Sequence, residues 1–96
     1  MNQLDIFGGE KAHEEVAREK KEQDWRDRVK ADPEFARRNL ILGALNRRGN
    51  MDAERIAALL GFTISNVDVD LYRLRKKGLV VEVGRRQWRA TARREE

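Results

Sequence analysis

Apolar residues recur at helical spacing in three segments between residues 32 and 78. Each segment opens on a residue whose side chain can cap a helix: Asp32 followed by Pro33, Asp52, and Thr63. Each segment also ends at a glycine, the residue that most often closes a helix. This pattern predicts three helices, closed by Gly49, Gly61 and Gly78.

The spacing within each predicted helix also indicates which residues are buried. Leu40 and Ile41 should flank the buried face of the first helix, and Gly43 lies in the middle of that helix. Because glycine lowers helix propensity, we expect the backbone of another segment to approach Gly43 closely. The residues predicted to face the core are Phe35, Leu42 and Leu45 in the first helix, Ile56, Leu59 and Leu60 in the second, and Val67, Leu71 and Leu74 in the third.

A β-hairpin is predicted after Gly78. Leu79, Val81 and Val83 alternate with Val80 and Glu82, which is the period of a β-strand. Gly84-Arg85-Arg86 provides a turn, and in the second strand Trp88 and Ala90 alternate with polar residues. We expect Trp88 to be a core residue of the hairpin. The fold class is therefore mostly α with a small β-hairpin.

The predicted elements divide the chain into four parts. Residues 1–9 are a tail that ends in Gly8-Gly9, and residues 10–31 are a charged spacer. Glu14 with Arg18 and Glu22 with Arg26 stand at i, i+4 in that spacer, which favours a helix. Residues 32–91 form the domain, and we expect residues 92–96 to be frayed.

Charge is distributed unevenly along the chain. The formal net charge is +4, and the acids and bases of residues 1–31 nearly cancel. Between Arg73 and Arg94 the only acid is Glu82, and this excess of cations is typical of a surface that meets a polyanion. The cations of this region are Arg73, Arg75, Lys76, Lys77, Arg85, Arg86, Arg89, Arg93 and Arg94.

The order helix, helix, tight turn, helix, glycine and basic hairpin resembles the winged helix-turn-helix superfamily of DNA-binding proteins. The stretch AERIAALLGFTISNVDVDLYRLRKKGLVVEVGRRQWRAT carries this resemblance along its whole length, most clearly in IAALLG and in LRKKGLV before the hairpin. The resemblance implies a winged helix-turn-helix over about residues 32–91. It is specific for the fold and weak for function, because winged helices also serve as protein-binding modules.

In this superfamily the third helix enters the major groove and the hairpin, or wing, holds phosphates. The resemblance therefore implies contact with double-stranded DNA. Asn66 could bond an adenine edge and Asp68 could accept a hydrogen bond from a cytosine amine. However, Asp68 and Asp70 place two carboxylates where the family usually has small polar or basic residues, so base contact by this helix stays open. The DNA-binding residues implied are Ser65, Asn66, Asp68, Val69 and Tyr72 on the helix, and Arg73, Lys76, Arg85, Arg86 and Arg89 at phosphates.

The amino-terminal peptide Gln3-Leu4-Asp5-Ile6-Phe7 resembles the motif that binds the bacterial replication sliding clamp. The resemblance implies that Leu4, Ile6 and Phe7 fill apolar pockets while Gln3 orients the extended peptide. Gly8-Gly9 and the charged spacer would let it be displayed. The alternatives are that the three apolar residues fold back onto the domain, or that the five residues match the motif by chance. Together with a DNA-binding domain, this resemblance implies a bacteriophage or mobile-element protein that acts at replication or couples transcription to it.

Other classes of function lack the residues they need. With no cysteine and no apolar run of about 20 residues, we expect a cytoplasmic protein without disulfides or membrane spans. His13 and Ser65 are the sole histidine and serine and fall in different segments, and His13-Glu14-Glu15 lacks zinc-site spacing. We therefore expect no enzyme activity, no metal and no cofactor.

The sequence leaves the function open between classes. The first hypothesis is a DNA-binding accessory or regulatory protein whose tail docks on the sliding clamp. The second is a protein-interaction module, a clamp ligand or inhibitor, with little affinity for DNA. The third is an ordinary transcription regulator that forms a homodimer.

Overall fold

The structure, a computed structural model, describes residues 19–96. Residues 19–31 form a helix, α1, in which Gln23 Nε2 donates to Asp27 Oδ1 at 3.0 Å. The described part of the charged spacer is therefore helical, as the i, i+4 charge pattern predicts. The predicted clamp-binding peptide, Gln3 to Phe7, lies outside the described residues. The chain divides into two compact units between Ala31 and Asp32.

The three predicted helices of the second unit are present. Helix α2 spans Pro33–Arg48, α3 spans Ala53–Leu60 and α4 spans Ile64–Lys76. Their caps are those predicted: Asp32 Oδ1 accepts from two backbone amides at 3.1 Å, Asp52 Oδ1 from Arg55 N at 2.7 Å, and Thr63 Oγ1 from Asn66 N at 3.3 Å. Gly61 adopts a left-handed conformation with φ 74°, which lets the chain turn sharply from α3 into α4.

Two short strands follow α4. β1 is Val80–Glu82 and β2 is Trp88–Ala90, and they pair antiparallel with Val81 opposite Arg89. Val83 N donates to Gln87 O at 2.7 Å and closes the loop of residues 84–86. The described residues thus confirm a mostly α fold with a small β-hairpin.

The hairpin is joined to the segment between α2 and α3. Met51 and Trp88 form an isolated antiparallel bridge in which Met51 N donates to Trp88 O at 3.2 Å and Trp88 N to Met51 O at 2.8 Å. Met51 itself is buried. The start of β2 is therefore attached on both sides, to β1 and to the chain before α3.

The core corrects part of the predicted pattern. Leu59 is 39% exposed and Leu40 is 49% exposed, whereas Ala57 is buried. In the hairpin, Val80 is the buried residue of β1, and Leu79 before it is partly buried and packs against the core. The main core cluster consists of Ile41, Leu42, Ala44, Leu45, Met51, Ile56, Ala57, Val67, Leu71, Leu74 and Val80.

Gly43 does not mark a close approach of another backbone, contrary to our expectation. The atoms that a Cβ at this position would meet belong to the guanidinium of Arg47, the nearest at 3.3 Å, one turn further along α2. The glycine therefore makes room for an arginine side chain of its own helix.

The prediction that residues 92–96 are frayed is also wrong. Glu95 is buried, its carboxylate accepts from Arg38 Nε at 2.6 Å and from Lys77 Nζ, and its backbone N donates to Asn39 Oδ1 at 2.7 Å. Asn46 Nδ2 also donates to Ala92 O at 2.8 Å. The carboxyl-terminal segment is thus tied to α2, and the second unit extends to Glu96.

The cluster of Arg38, Glu95 and Lys77 also sets the acidity of its carboxyl group. Burial alone would raise the pKa of Glu95, but the hydrogen bonds from Arg38 and Lys77 outweigh burial and hold its pKa below the ordinary value of 4.5. The pair with Glu95 likewise raises the pKa of Arg38. Folding therefore favours the ionised form of Glu95.

We expect Glu95→Gln to lower the free energy of unfolding by about 3 kcal/mol, because Arg38 keeps a buried charge without its partner. Since the pKa is lowered in the folded protein, this stabilisation is complete above the ordinary pKa and is lost as the pH falls through the lowered one. Urea unfolding of both proteins at pH 7 and at decreasing pH measures the effect.

Glu96→Gln is the matched control, because the side chain of Glu96 is 74% exposed in its pair with Arg94. The control should change the stability by less than about 0.5 kcal/mol. Equal stability of the Glu95→Gln variant and the wild type at pH 7 would contradict the role assigned to this cluster.

Candidate nucleic-acid interface

Helix α4 has two distinct faces. Val67, Leu71 and Leu74 are buried, as their spacing predicts. The opposite face is exposed along the length of the helix, with polar and apolar residues in the first half and a basic last turn. It carries the residues predicted to approach DNA: Ser65, Asn66, Asp68, Val69, Tyr72, Arg73 and Lys76.

Asp70 does not belong to the exposed face, which corrects the expectation of two carboxylates directed at a groove. Its side chain is fully buried and holds the guanidinium of Arg37 at two points, one of them Arg37 Nη2 to Asp70 Oδ1 at 3.0 Å. This hydrogen bonding raises the pKa of Arg37, although burial acts in the opposite direction. Asp68 is thus the remaining carboxylate on the exposed face of α4.

The ion pair between Arg37 and Asp70 also joins α2 to α4. A second ion pair, Arg73 Nη1 to Glu34 Oε2 at 2.8 Å, joins the same two helices near their surface. Because that pair is exposed on both sides, it contributes little stability, and Arg73 is free to exchange Glu34 for another anion. Asp70 and Arg37 are therefore the main electrostatic link that fixes the rotation of α4.

The hairpin presents three further predicted residues. Arg85 and Arg86 occupy the loop, where Gly84 and Arg86 have φ of 74° and 59°. Arg89 is exposed on the face of β2 opposite to Trp88 and Ala90. Trp88 is partly buried and packs against the core cluster, as predicted. Arg85, Arg86 and Arg89 are thus exposed on a hairpin that packs against the core through Trp88.

Lys76 and Tyr72 interact on α4, with the Lys76 ammonium 5.0 Å from the centre of the Tyr72 ring. This is a cation–π distance, and the two residues are one turn apart. Arg75 is exposed beside them in the last turn. The last turn of α4 and the hairpin therefore both carry exposed cations.

A cleft of about 350 Å³ between the start of α3, the first half of α4 and the hairpin was not predicted. Its polar lining is mostly acidic, and Asp52 is already engaged as the cap of α3. Because the lining residues come from separate parts of the chain, no local pattern indicates the cleft. Its residues are Asp52, Ala53, Glu54, Ile64, Asp68, Glu82, Arg86 and Trp88.

The cleft changes the electrostatics expected for this surface. Glu54, Asp68 and Glu82 repel phosphate oxygens, and Arg86 alone among the lining residues attracts them. The surface is therefore divided into an acidic middle and two basic margins, the hairpin and the last turn of α4.

Within residues 19–96, no group of three or more His, Cys, Asp or Glu side chains is placed to hold a metal ion. No helix among these residues has the length and apolar character needed to cross a membrane. Comparison of the chain with protein-family models, curated proteins and solved structures gives no significant match.

We expect Asp70→Asn to lower the free energy of unfolding by about 3 kcal/mol, because it leaves the Arg37 guanidinium without its carboxylate partner. Thermal or urea unfolding measures the loss. Asp68→Asn makes the same chemical change two residues away on the exposed face and should cost less than about 0.5 kcal/mol. Equal effects of the two substitutions would show that the buried pair does not hold α4.

Proposed function

We propose that this chain is a DNA-binding accessory or regulatory protein with a winged helix-turn-helix domain. The observation that carries the proposal is the placement of exposed cations on both margins of one surface: Arg85 and Arg89 on the hairpin, Arg75 and Lys76 in the last turn of α4. No ion pair occupies these four side chains within residues 19–96. Cations left unpaired in this way are suited to phosphates.

The acidic cleft restricts how DNA would lie on this surface. Phosphates are favoured at the hairpin loop and at the last turn of α4, and disfavoured beside Glu54, Asp68 and Glu82. The first half of α4 would therefore face base edges rather than a sugar-phosphate strand. Its rotation is fixed in advance by Asp70 and Arg37, so little ordering is needed on binding.

Replacement of Arg85 and Arg86 by alanine should weaken binding to a mixed-sequence duplex by about tenfold per arginine at low salt. The slope of log K against log salt should become less steep by about two, because two fewer phosphates are neutralised and fewer counterions are released. Fluorescence anisotropy with a labelled duplex at several salt concentrations measures both quantities.

The matched control is Arg47→Ala/Arg48→Ala, which removes the same charge from an adjacent arginine pair at the end of α2. This control should change the affinity and the salt slope less than the hairpin variant does. If the two variants lose affinity equally, net charge and not the hairpin determines binding, and the proposed interface is wrong.

We further propose that the amino-terminal peptide Gln3-Leu4-Asp5-Ile6-Phe7 docks on the bacterial sliding clamp, which places the protein in the cytoplasm. The support is the sequence of the peptide and the Gly8-Gly9 that follows it. A peptide of this length binds weakly alone, and a DNA-binding domain on the same chain would raise its effective concentration at clamps already loaded on DNA.

Leu4→Ala/Phe7→Ala should abolish binding to purified bacterial clamp, since it removes two of the three apolar side chains of the peptide. DNA affinity should stay unchanged. Surface plasmon resonance on immobilised clamp gives the first result and the anisotropy titration gives the second. Undiminished clamp binding by this variant would disprove the assignment of the peptide.

The acidic cleft favours a second candidate function, a protein-interaction module. In that case the domain contacts a protein and its carboxylates repel DNA. The discriminating result is clamp binding by the wild type without any duplex binding at low salt, which would replace the proposal of DNA binding.

A further inference from the structure

The middle of the exposed face of α4 is apolar. Val69 is 47% exposed and Tyr72 is 58% exposed, and they stand at i, i+3 on the side opposite to the buried Leu71. Both side chains leave a large apolar area in contact with water, which costs free energy unless a partner covers it. This pair lies between Asp68 on one side and Lys76 on the other.

The charge around this pair identifies the kind of partner. From Ile64 to Tyr72 the helix has no cation, and Asp70 is turned inward, so the exposed face of this stretch has Asp68 as its single charge. The cations begin at Arg73 and continue on the hairpin. A strip with an exposed apolar pair, a single carboxylate and basic margins matches the major groove of DNA, whose floor carries apolar and hydrogen-bonding base edges and whose walls carry phosphates.

We infer that α4 reads pyrimidine edges in the major groove. Val69 and Tyr72 pack against the C5-methyl groups of thymine, the one apolar substituent that unmodified base pairs present there. Asp68 accepts a hydrogen bond from the N4 amine of cytosine. Guanine is disfavoured at the same positions, because its O6 and N7 are acceptors and would face the Asp68 carboxylate. This inference rests on the proposed DNA binding and adds the base chemistry to it.

The test begins with selection of duplexes from a random pool by the full chain. Enriched duplexes are then compared with copies in which 2′-deoxyuridine replaces thymidine, a change that removes only the methyl groups. We expect about a fourfold loss of affinity for each contacted methyl group. Val69→Ala should reduce this difference between the two duplexes, and Asp68→Asn should weaken the preference for cytosine.

Two control variants separate base reading from other effects. Leu40→Ala removes an apolar side chain that is 49% exposed on α2 and should retain the full thymidine preference. Arg85→Ala/Arg86→Ala should lower the affinity for the thymidine and deoxyuridine duplexes by the same factor, because the phosphates are identical in the two. Unchanged melting temperatures of the Val69→Ala and Asp68→Asn variants would confirm that the fold is intact.

The possible results distinguish failure of the inference from failure of the proposed function. If the wild type binds duplex through the hairpin arginines but enriches no sequence, or binds thymidine and deoxyuridine duplexes equally, pyrimidine reading is wrong and DNA binding stands. If the wild type binds no duplex at low salt, both the proposal of DNA binding and the inference of pyrimidine reading are wrong.

Discussion

The buried pair of Asp70 and Arg37 determines which side of α4 meets solvent. Asp70 is buried on the same helix as Val67, Leu71 and Leu74, where a carboxylate is stable only with a charged partner and full hydrogen bonding. Arg37 supplies both from α2, at a separation of 33 residues along the chain. A rotation of α4 that exposed Asp70 would also expose two leucines and a valine, so the apolar core and the ion pair enforce the same orientation.

The sequence predicts those features that depend on neighbours within a few residues. The caps at Asp32, Asp52 and Thr63 each involve a backbone amide two or three residues further along, so the local pattern is sufficient to place the starts of the helices. The inner face of α4 is predicted for the same reason. In β1, by contrast, the local alternation does not indicate which face is buried, and the buried residue is Val80, which pairs with Ala90.

The features that the sequence did not predict join distant segments. Glu95 meets Arg38 across 57 residues, so nothing near the carboxyl terminus indicates that it is buried. The acidic cleft likewise combines side chains from α3, α4 and the hairpin, which are brought together by the bridge between Met51 and Trp88. Charge counted along the sequence indicates a basic region from Arg73 to Arg94, whereas folding pairs some of its cations and gathers Glu54, Asp68 and Glu82 in the cleft beside Arg86.

On the proposed interface, this grouping of acids in the cleft would favour one mode of contact with DNA over others. A uniformly basic surface would attract a phosphate backbone in many orientations, since electrostatic attraction is long-ranged and not directional. In the proposed complex, the carboxylates between α4 and the hairpin would penalise orientations that bring phosphates into the cleft, and Arg85 and Arg89 would favour those that keep phosphates outside it. Acids on a DNA-binding surface therefore lower total affinity but can raise the difference between correct and incorrect docking, and specificity depends on that difference.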